Sequence, residues 1–409
     1  MKKIRAFLTL AIFINLISTP AYSNTPAKEV TPEKKKGYLE YIPAEGIEVE
    51  SLDLTIKPTA TGVLQGTPNP NKRKGGKLGT SWVTYFDFEK KFSDWGEIFF
   101  RLQQGDGLTV SRDLSLFSGV NYNAHENHGI PEPRIYRYKQ FLFDKQLTLV
   151  LGKLEHRNYI DQSKYAGDDD IQFLSDLFNR SAVIEWPEHY GLGLNVNMSP
   201  KVIDFLEVEF NYFDATGAWK NVIQNAMYTG EIKVKTAPLF NLDPTEWDGN
   251  YRVYGFANMR RHPEISDEID DKNVNCGFGF GFDQSITSVF GIFGRFGWQR
   301  PDLIPANGGT TIDLSWSAGG QMTGKYWRRE NDVLGVAVGQ LFPSKEYEDA
   351  GNPGSAEGHV ETYYSFMVNK HLLIGPNFEL VWNPNGVSKA SQGDNDVIFV
   401  YGARARVIF

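Results

Sequence analysis

The chain of 409 residues carries one cysteine, Cys276, so it can build neither a disulfide framework nor a multi-cysteine zinc site. Positive charge is in deficit. Its 42 Lys and Arg stand against 50 Asp and Glu, a formal charge of -8, which argues against a nucleic-acid partner, since that needs a cationic face. Beyond the N-terminus no apolar run approaches the roughly 20 residues of a membrane-spanning helix. What is present is aromatic side chains and glycine: 28 Phe, 19 Tyr, 9 Trp and 40 Gly in a chain only 41% hydrophobic. Many aromatics without overall hydrophobicity are expected where apolar and polar residues alternate, so that each strand shows one face to lipid and one to water.

The first residues combine a cationic start (Lys2, Lys3, Arg5), an apolar run from Ala6 to Ile17 and small residues at Ala21 and Ser23. This pattern predicts a secretory signal over residues 1–23, cleaved after Ser23. Residues 24–50, rich in Pro, Lys and Glu, read as a flexible periplasmic lead-in, and 51–409 as one barrel. An exported chain without a spanning helix enters a membrane only as a closed barrel, because every backbone polar group must be satisfied internally.

The strand signal is period-two alternation in segments of about ten residues. At the C-terminus Val397, Phe399, Tyr401, Ala403, Ala405, Val407 and Phe409 share one face, and Gly402, Arg404 and Arg406 the other. A chain ending on an aromatic strand residue resembles the terminal signal of bacterial outer-membrane proteins. Cys276, Phe278, Phe280 and Phe282 likewise oppose Asn275, Gly277, Gly279, Gly281 and Asp283, and Leu206, Val208, Phe210 and Tyr212 oppose Glu207, Glu209 and Asn211. The alternation predicts sixteen strands, near 51–65, 79–91, 96–104, 134–143, 146–154, 190–198, 203–213, 229–237, 250–260, 274–283, 289–299, 313–326, 332–341, 359–368, 371–383 and 397–409. Short links such as Asn369-Lys370 alternate with long ones such as 341–357 and 384–395, as periplasmic turns and external loops do. The expected fold is all-β: a 16-stranded antiparallel transmembrane barrel with a short helix in an inward-folding loop.

The inward face collects Arg101, Lys153, Arg295, Lys325, Arg404 and Arg406 with Glu97, Glu207, Glu209, Glu361 and Glu379. A barrel of this size holds an aqueous channel. Guanidinium and carboxylate groups at a narrowing set a field and offer paired hydrogen bonds to hydroxyls of a neutral solute. Charges merely solvated by lumen water are the plainer reading of any one of them. In the segment Glu155 to Pro187, Asp168-Asp169-Asp170 precedes Ile171, Leu174, Leu177 and Phe178. That order predicts a short amphipathic helix with acids at its positive end, in a loop long enough to narrow the lumen. Calcium at the triple Asp lacks a fuller oxygen-ligand pattern.

Other motifs carry less. His125 and His128 lie three apart in a polar loop without a third ligand, so a metal site is not expected. The glycines of Gly277-Phe278-Gly279-Phe280-Gly281 fall on one strand face, which suits a bare wall giving room to an inserted loop rather than a nucleotide loop. His189 and Ser199 have no orienting partner and no nucleophile elbow. No catalytic residue, cofactor or metal ligand is predicted.

Three stretches resemble the OprB-type carbohydrate-selective porin family. They are GKLEHRNYIDQSKYAGDDDIQFLSDLF at 152–178; GFGFDQSIT at 279–287 and GIFGRFGWQ at 291–299 through Trp327 to Ala337; and Glu361-Thr362-Tyr363-Tyr364 through Pro376 and Asn383-Pro384 to Arg404 and Phe409. The resemblance implies a barrel that passes monosaccharides such as glucose by facilitated diffusion past a charged constriction. It carries over to Lys153, Asp161, Arg295 and Arg404. Arg101 and Glu361 join the set from strand alternation. Glu155 stands where the family more often has Asp, and 214–272 matches only loosely. Implied partners are carbohydrate solutes and outer-membrane lipid with lipopolysaccharide, with monomer and homotrimer both open. A general or ion-selective pore, a barrel enzyme and a secreted β-protein are the competing readings.

Overall fold

The computed structural model describes residues 46–49, 52–72, 77–123, 129–187, 189–244, 246–266, 273–306, 311–387 and 397–409. The expected signal peptide, most of the lead-in and the His125/His128 pair lie outside the described residues.

The strands run β1 (Ile47–Val49), β2 (Leu54–Thr67), β3 (Lys77–Phe92), β4 (Gly96–Leu108), β5 (Glu132–Leu142), β6 (Leu147–Leu154), β7 (Gly191–Met198), β8 (Leu206–Asp214) and β9 (Ala226–Lys235). They continue as β10 (Gly249–His262), β11 (Asn273–Thr287), β12 (Phe290–Gln299), β13 (Ile312–Gly324), β14 (Arg329–Pro343), β15 (Glu357–Asn369), β16 (Leu372–Trp382) and β17 (Val397–Ile408). Each pairs antiparallel with the next from β2 onward, and β17 returns to β2 in a register from Tyr401↔Gly66 to Ile408↔Thr59. Strands β2 to β17 thus close into a barrel of sixteen strands. All sixteen expected segments are strands. The lead-in needs a correction, because Ile47–Val49 pairs with the start of β2 (Ile47↔Ile56) and continues the sheet beyond the end of β17.

The alternation has its expected cause. On β17, Phe399 and Tyr401 are half exposed on the outer wall, whereas Arg404 is buried inside. One rim carries mostly short links, such as 93–95 and 370–371, and the other carries long ones, such as 109–131 and 155–190. No helix among the described residues is long and apolar enough to cross a membrane.

The interior is not uniformly polar. Val381, Ile398 and Val400 face inward and form an apolar cluster with Val110, Leu114 and Val120 from the β4–β5 connection. In a second cluster, Phe173 and Phe178 of the β6–β7 loop join Phe293 and Tyr363 of the wall, with the Phe173 ring against both. The loop therefore has an apolar core of its own inside the barrel.

Candidate functional site: the lumen and its inward loop

The 155–187 loop is held by wall side chains that bind its backbone. Arg295 on β12 donates from Nε to Asp161 Oδ1 (3.0 Å), from Nη1 to the Phe178 carbonyl (2.6 Å), and from Nη2 to the Asp161 carbonyl (3.2 Å) and the Ala166 carbonyl. Asp161 Oδ2 accepts from the Ser181 N–H (2.7 Å), so the carboxylate ties two parts of the loop together. Glu361 on β15 accepts the N–H groups of Leu174 (2.8 Å) and Ser175 (2.9 Å). Arg404 on β17 donates from Nη1 to the carbonyls of Asp169 (2.9 Å) and Gln172 (2.7 Å). Of the six residues singled out in the sequence, Arg295, Glu361 and Arg404 thus grip the backbone of this loop, and Asp161 belongs to it. Glu357, which the sequence reading missed, does the same for the β4–β5 connection, accepting from Phe117 and Ser118.

These contacts explain why the expected helix is short. The helix α1 spans only Asp176–Asn179, with Ser175 as its N-cap, and does not begin at the acids. Residues 168–172 form a turn closed by the Gln172 N–H on the Asp168 carbonyl (2.7 Å). The next N–H groups, of Leu174 and Ser175, are taken by Glu361.

Bare wall positions admit the loop. A Cβ on Gly291 would lie 2.1 Å from the Tyr165 ring, and one on Gly297 would lie 2.3 Å from a Val183 methyl. A Cβ on Gly281 would lie 3.5 Å from Asp161 Oδ1, whereas bare Gly279 makes room for the Tyr254 ring of the neighbouring strand β10 rather than for the loop.

Arg101 lies on a different part of the wall. It forms a two-point pair with Asp87 (both 2.7 Å), stands 3.7 Å from Glu155 and covers the Tyr85 ring at 4.5 Å. Glu155 is also bound by Arg157 and by the Tyr190 hydroxyl (2.6 Å). Burial acts to raise its pKa, but the Arg157 and Arg101 charges overcome it and hold the carboxyl well below the usual range. Arg157 reaches on to Asp169 (3.2 Å). Arg406 lies 3.8 Å from Asp168 and 3.6 Å from Asp170. Cations and acids therefore interleave along the wall and loop, and the three Asp side chains meet arginines; Asn123 also donates to Asp169 (3.0 Å) and Asp170 (2.7 Å). No cluster of three or more metal-ligating side chains occurs among the described residues.

Two expected inward cations are elsewhere. Lys153 pairs across strands with Tyr136 and Leu192 and shares the outer face with exposed Leu151, and its Nζ donates to the Pro133 carbonyl (3.0 Å). Val150 and Leu154, four residues apart and both buried, set the inward parity of β6, and Lys153 falls on the opposite parity. Lys325 sits in the exposed turn after β13 rather than on the strand.

Comparison with known proteins follows the same geometry. The model of the carbohydrate-selective porin, OprB family, matches residues 135–409. A high-pH structure of Pseudomonas putida OprB superposes with a TM-score of 0.73 at 15% identity, covering 88% of this chain and 95% of that one. The outer membrane channel DcaP of Acinetobacter baumannii gives 0.53 at 10% identity, covering 90% of this chain and 100% of that one. A mutant Rh. blastica porin gives 0.52 at 6% identity, with 87% and 100% covered. At these identities the structures speak for the fold. No curated protein sequence matches the chain.

Proposed function

The chain belongs to the OprB family of carbohydrate-selective porins, and from that premise we propose that it passes glucose and similar small neutral solutes across the outer membrane by passive diffusion. The path is a water-filled lumen left beside the inward loop. A barrel of this family is a channel rather than an enzyme. The observation that supports a sugar route best is the interleaved set Asp87, Arg101, Glu155, Arg157 and Asp169. Paired guanidinium and carboxylate groups offer donors and acceptors to hydroxyls, while a single ion meets opposing fields.

Within this reading Arg101 lines the constriction directly. Asp161, Arg295, Glu361 and Arg404 shape it by fixing the loop, and Lys153 has no part in it. Residues 1–23 act as a cleaved export signal, so the mature protein should begin at Asn24 by intact mass. The outer wall is covered by lipid, with lipopolysaccharide in the outer leaflet.

Liposome swelling tests the proposal. Vesicles carrying the refolded mature chain should swell faster in glucose than in amino acids of similar size. Swelling ordered by solute size alone would favour a general pore without sugar preference. Glucose entry no faster than in empty vesicles would end the transport reading.

A further inference from the structure

A groove of about 770 Å³ lies on the outer wall of the barrel, toward the rim that carries the short links. Its floor is Gly62 of β2, Pro376 of β16, and Ala403 and Ala405 of β17, and Leu64 and Phe366 rise beside it. The register sets the floor residues side by side, since Ala403 pairs with Pro376 and Leu64, and Ala405 with Ile374 and Gly62. They share the outer face of their strands, opposite buried Val63 and Arg404. In a hydrocarbon layer such a trough stays neither empty nor wet, because an empty one forfeits packing contacts and a water in it finds no polar partners. A flexible apolar chain fills it.

One end of the groove carries positive charge. The link 325–328 between β13 and β14 lies against the wall, where Trp327 Nε1 donates to the Tyr364 hydroxyl (2.9 Å) and that hydroxyl donates to Asp332 (2.6 Å). Arg329 pairs with Asp332 (2.7 Å) and covers the Phe366 ring at 3.9 Å. Tyr364 and Phe366 both line the groove, so the link stands at its mouth. The Lys325 and Arg328 side chains are exposed, and among the described residues no carboxylate pairs with either. The neighbouring short link adds exposed Lys370, and Glu330 is the exposed acid beside them.

Cations at the mouth of an apolar groove complement an amphiphile with an anionic head. A second copy fits less well. Both barrels keep one orientation in the membrane, so a two-fold contact through the groove sets the cationic links against each other at the same depth. We propose that the groove seats one acyl chain of an anionic phospholipid, of the phosphatidylglycerol type, in the periplasmic leaflet, with Lys325 and Arg328 on its phosphate. The inference goes beyond the porin reading and rests on it only for the membrane and for the side that the short-link rim faces.

The test is native mass spectrometry of the full mature chain, refolded in micelles with equal amounts of phosphatidylglycerol and phosphatidylethanolamine of the same acyl chains. The wild type should retain phosphatidylglycerol about tenfold over phosphatidylethanolamine, the equivalent of about 1.4 kcal/mol. Lys325→Gln combined with Arg328→Gln should bring the two lipids to parity while lipid stays bound. Ala403→Phe, which fills the groove from the lipid side, should lower retention of both, and Ala405→Phe stands in if it does not fold. Equal retention by the wild type overturns the site, as does a preference that survives loss of both cations or undiminished binding to a folded Phe variant. Wild-type chains paired without lipid, and parted by Ala403→Phe, assign the groove to a second copy and overturn it too. Ion current in planar bilayers is read separately. Current without lipid preference overturns the lipid site alone, whereas retained phosphatidylglycerol without current ends the porin reading and leaves the lipid site standing.

Discussion

Arg295 and Asp161 meet across 3.0 Å, both side chains almost fully buried, and join barrel wall to inward loop. The pair is not free to face a passing solute, because three further donors of Arg295 bind loop carbonyls. Replacing Arg295 with Ala leaves a buried carboxylate and several carbonyls without their partner. Breaking a buried pair of this kind costs about 3–5 kcal/mol. Loop docking should weaken while the strand ladder stays intact. The expected result is larger and noisier single-channel conductance, with the folded band still shifting on heated gels. Conductance and noise equal to wild type would show that the pair does not hold the loop.

Arg101 should behave differently, because it is partly exposed and bound to side chains rather than to loop backbone. Arg101→Gln removes one positive charge beside Asp87 and Glu155. For an ion passing within about 4 Å in water the change is about 1 kcal/mol, or roughly fivefold in permeability ratio. Zero-current potentials in a salt gradient should move toward cation preference, with conductance noise unaltered. A shift toward anions, or none, would remove Arg101 from the ion path.

His156 gives the loop a pH dependence. Burial, then the Arg180 charge, lower its pKa from the ordinary value to about 3. An undocked, solvated imidazole titrates near 6.5. Between these values the undocked state binds a proton that the docked state refuses, so docking loses stability as pH falls below about 6.5. At pH 4.5 the loss is about 2–3 kcal/mol. Conductance noise should rise through this window. His156→Phe keeps the ring contacts with Trp186 and Tyr190 and removes the proton, so its noise should rise less on acidification. The carboxylates nearby, Glu155 and Asp169, are common to both proteins and cancel in the comparison. Identical acid profiles would assign the effect to them instead.

The barrel was legible because its wall separates two media, and each strand writes that separation in period two. Arg101, Arg295, Glu361 and Arg404 could be assigned to the inner face on this ground alone. Their partners could not. The groups that bind Arg295, Glu361 and Arg404 are chiefly loop carbonyls and N–H groups, which every residue has and no sequence pattern marks. Lys153 stands on the outer face against both the alternation and the motif that placed it inside; the parity of buried Val150 and Leu154 turns it outward. Asp87 was within reach of the same reasoning, being two residues from Tyr85 on a strand whose other face carries Phe86 and Phe88. The inward apolar patch of Ile398 and Val400 was hidden because the apolar residues of β17 already had a plausible outer face.

Gly291 offers a test of docking that leaves every charge in place. A Cβ there would stand 2.1 Å from the Tyr165 ring, whose hydroxyl bonds Ser285 at 2.7 Å. Tyr165 is fully buried, so the ring has no room to retreat within the docked loop. Gly291→Val suits the strand, since β-branched residues favour extended backbone. The penalty therefore falls on the loop, at about 1–3 kcal/mol for overpacking. Conductance noise should rise as it does for Arg295→Ala, with ion selectivity left near wild type. Tyr165→Ala in the same chain should relieve the clash, so that the double variant is quieter than Gly291→Val alone. If the second change adds to the noise, the glycine matters for the wall itself and not for seating the loop.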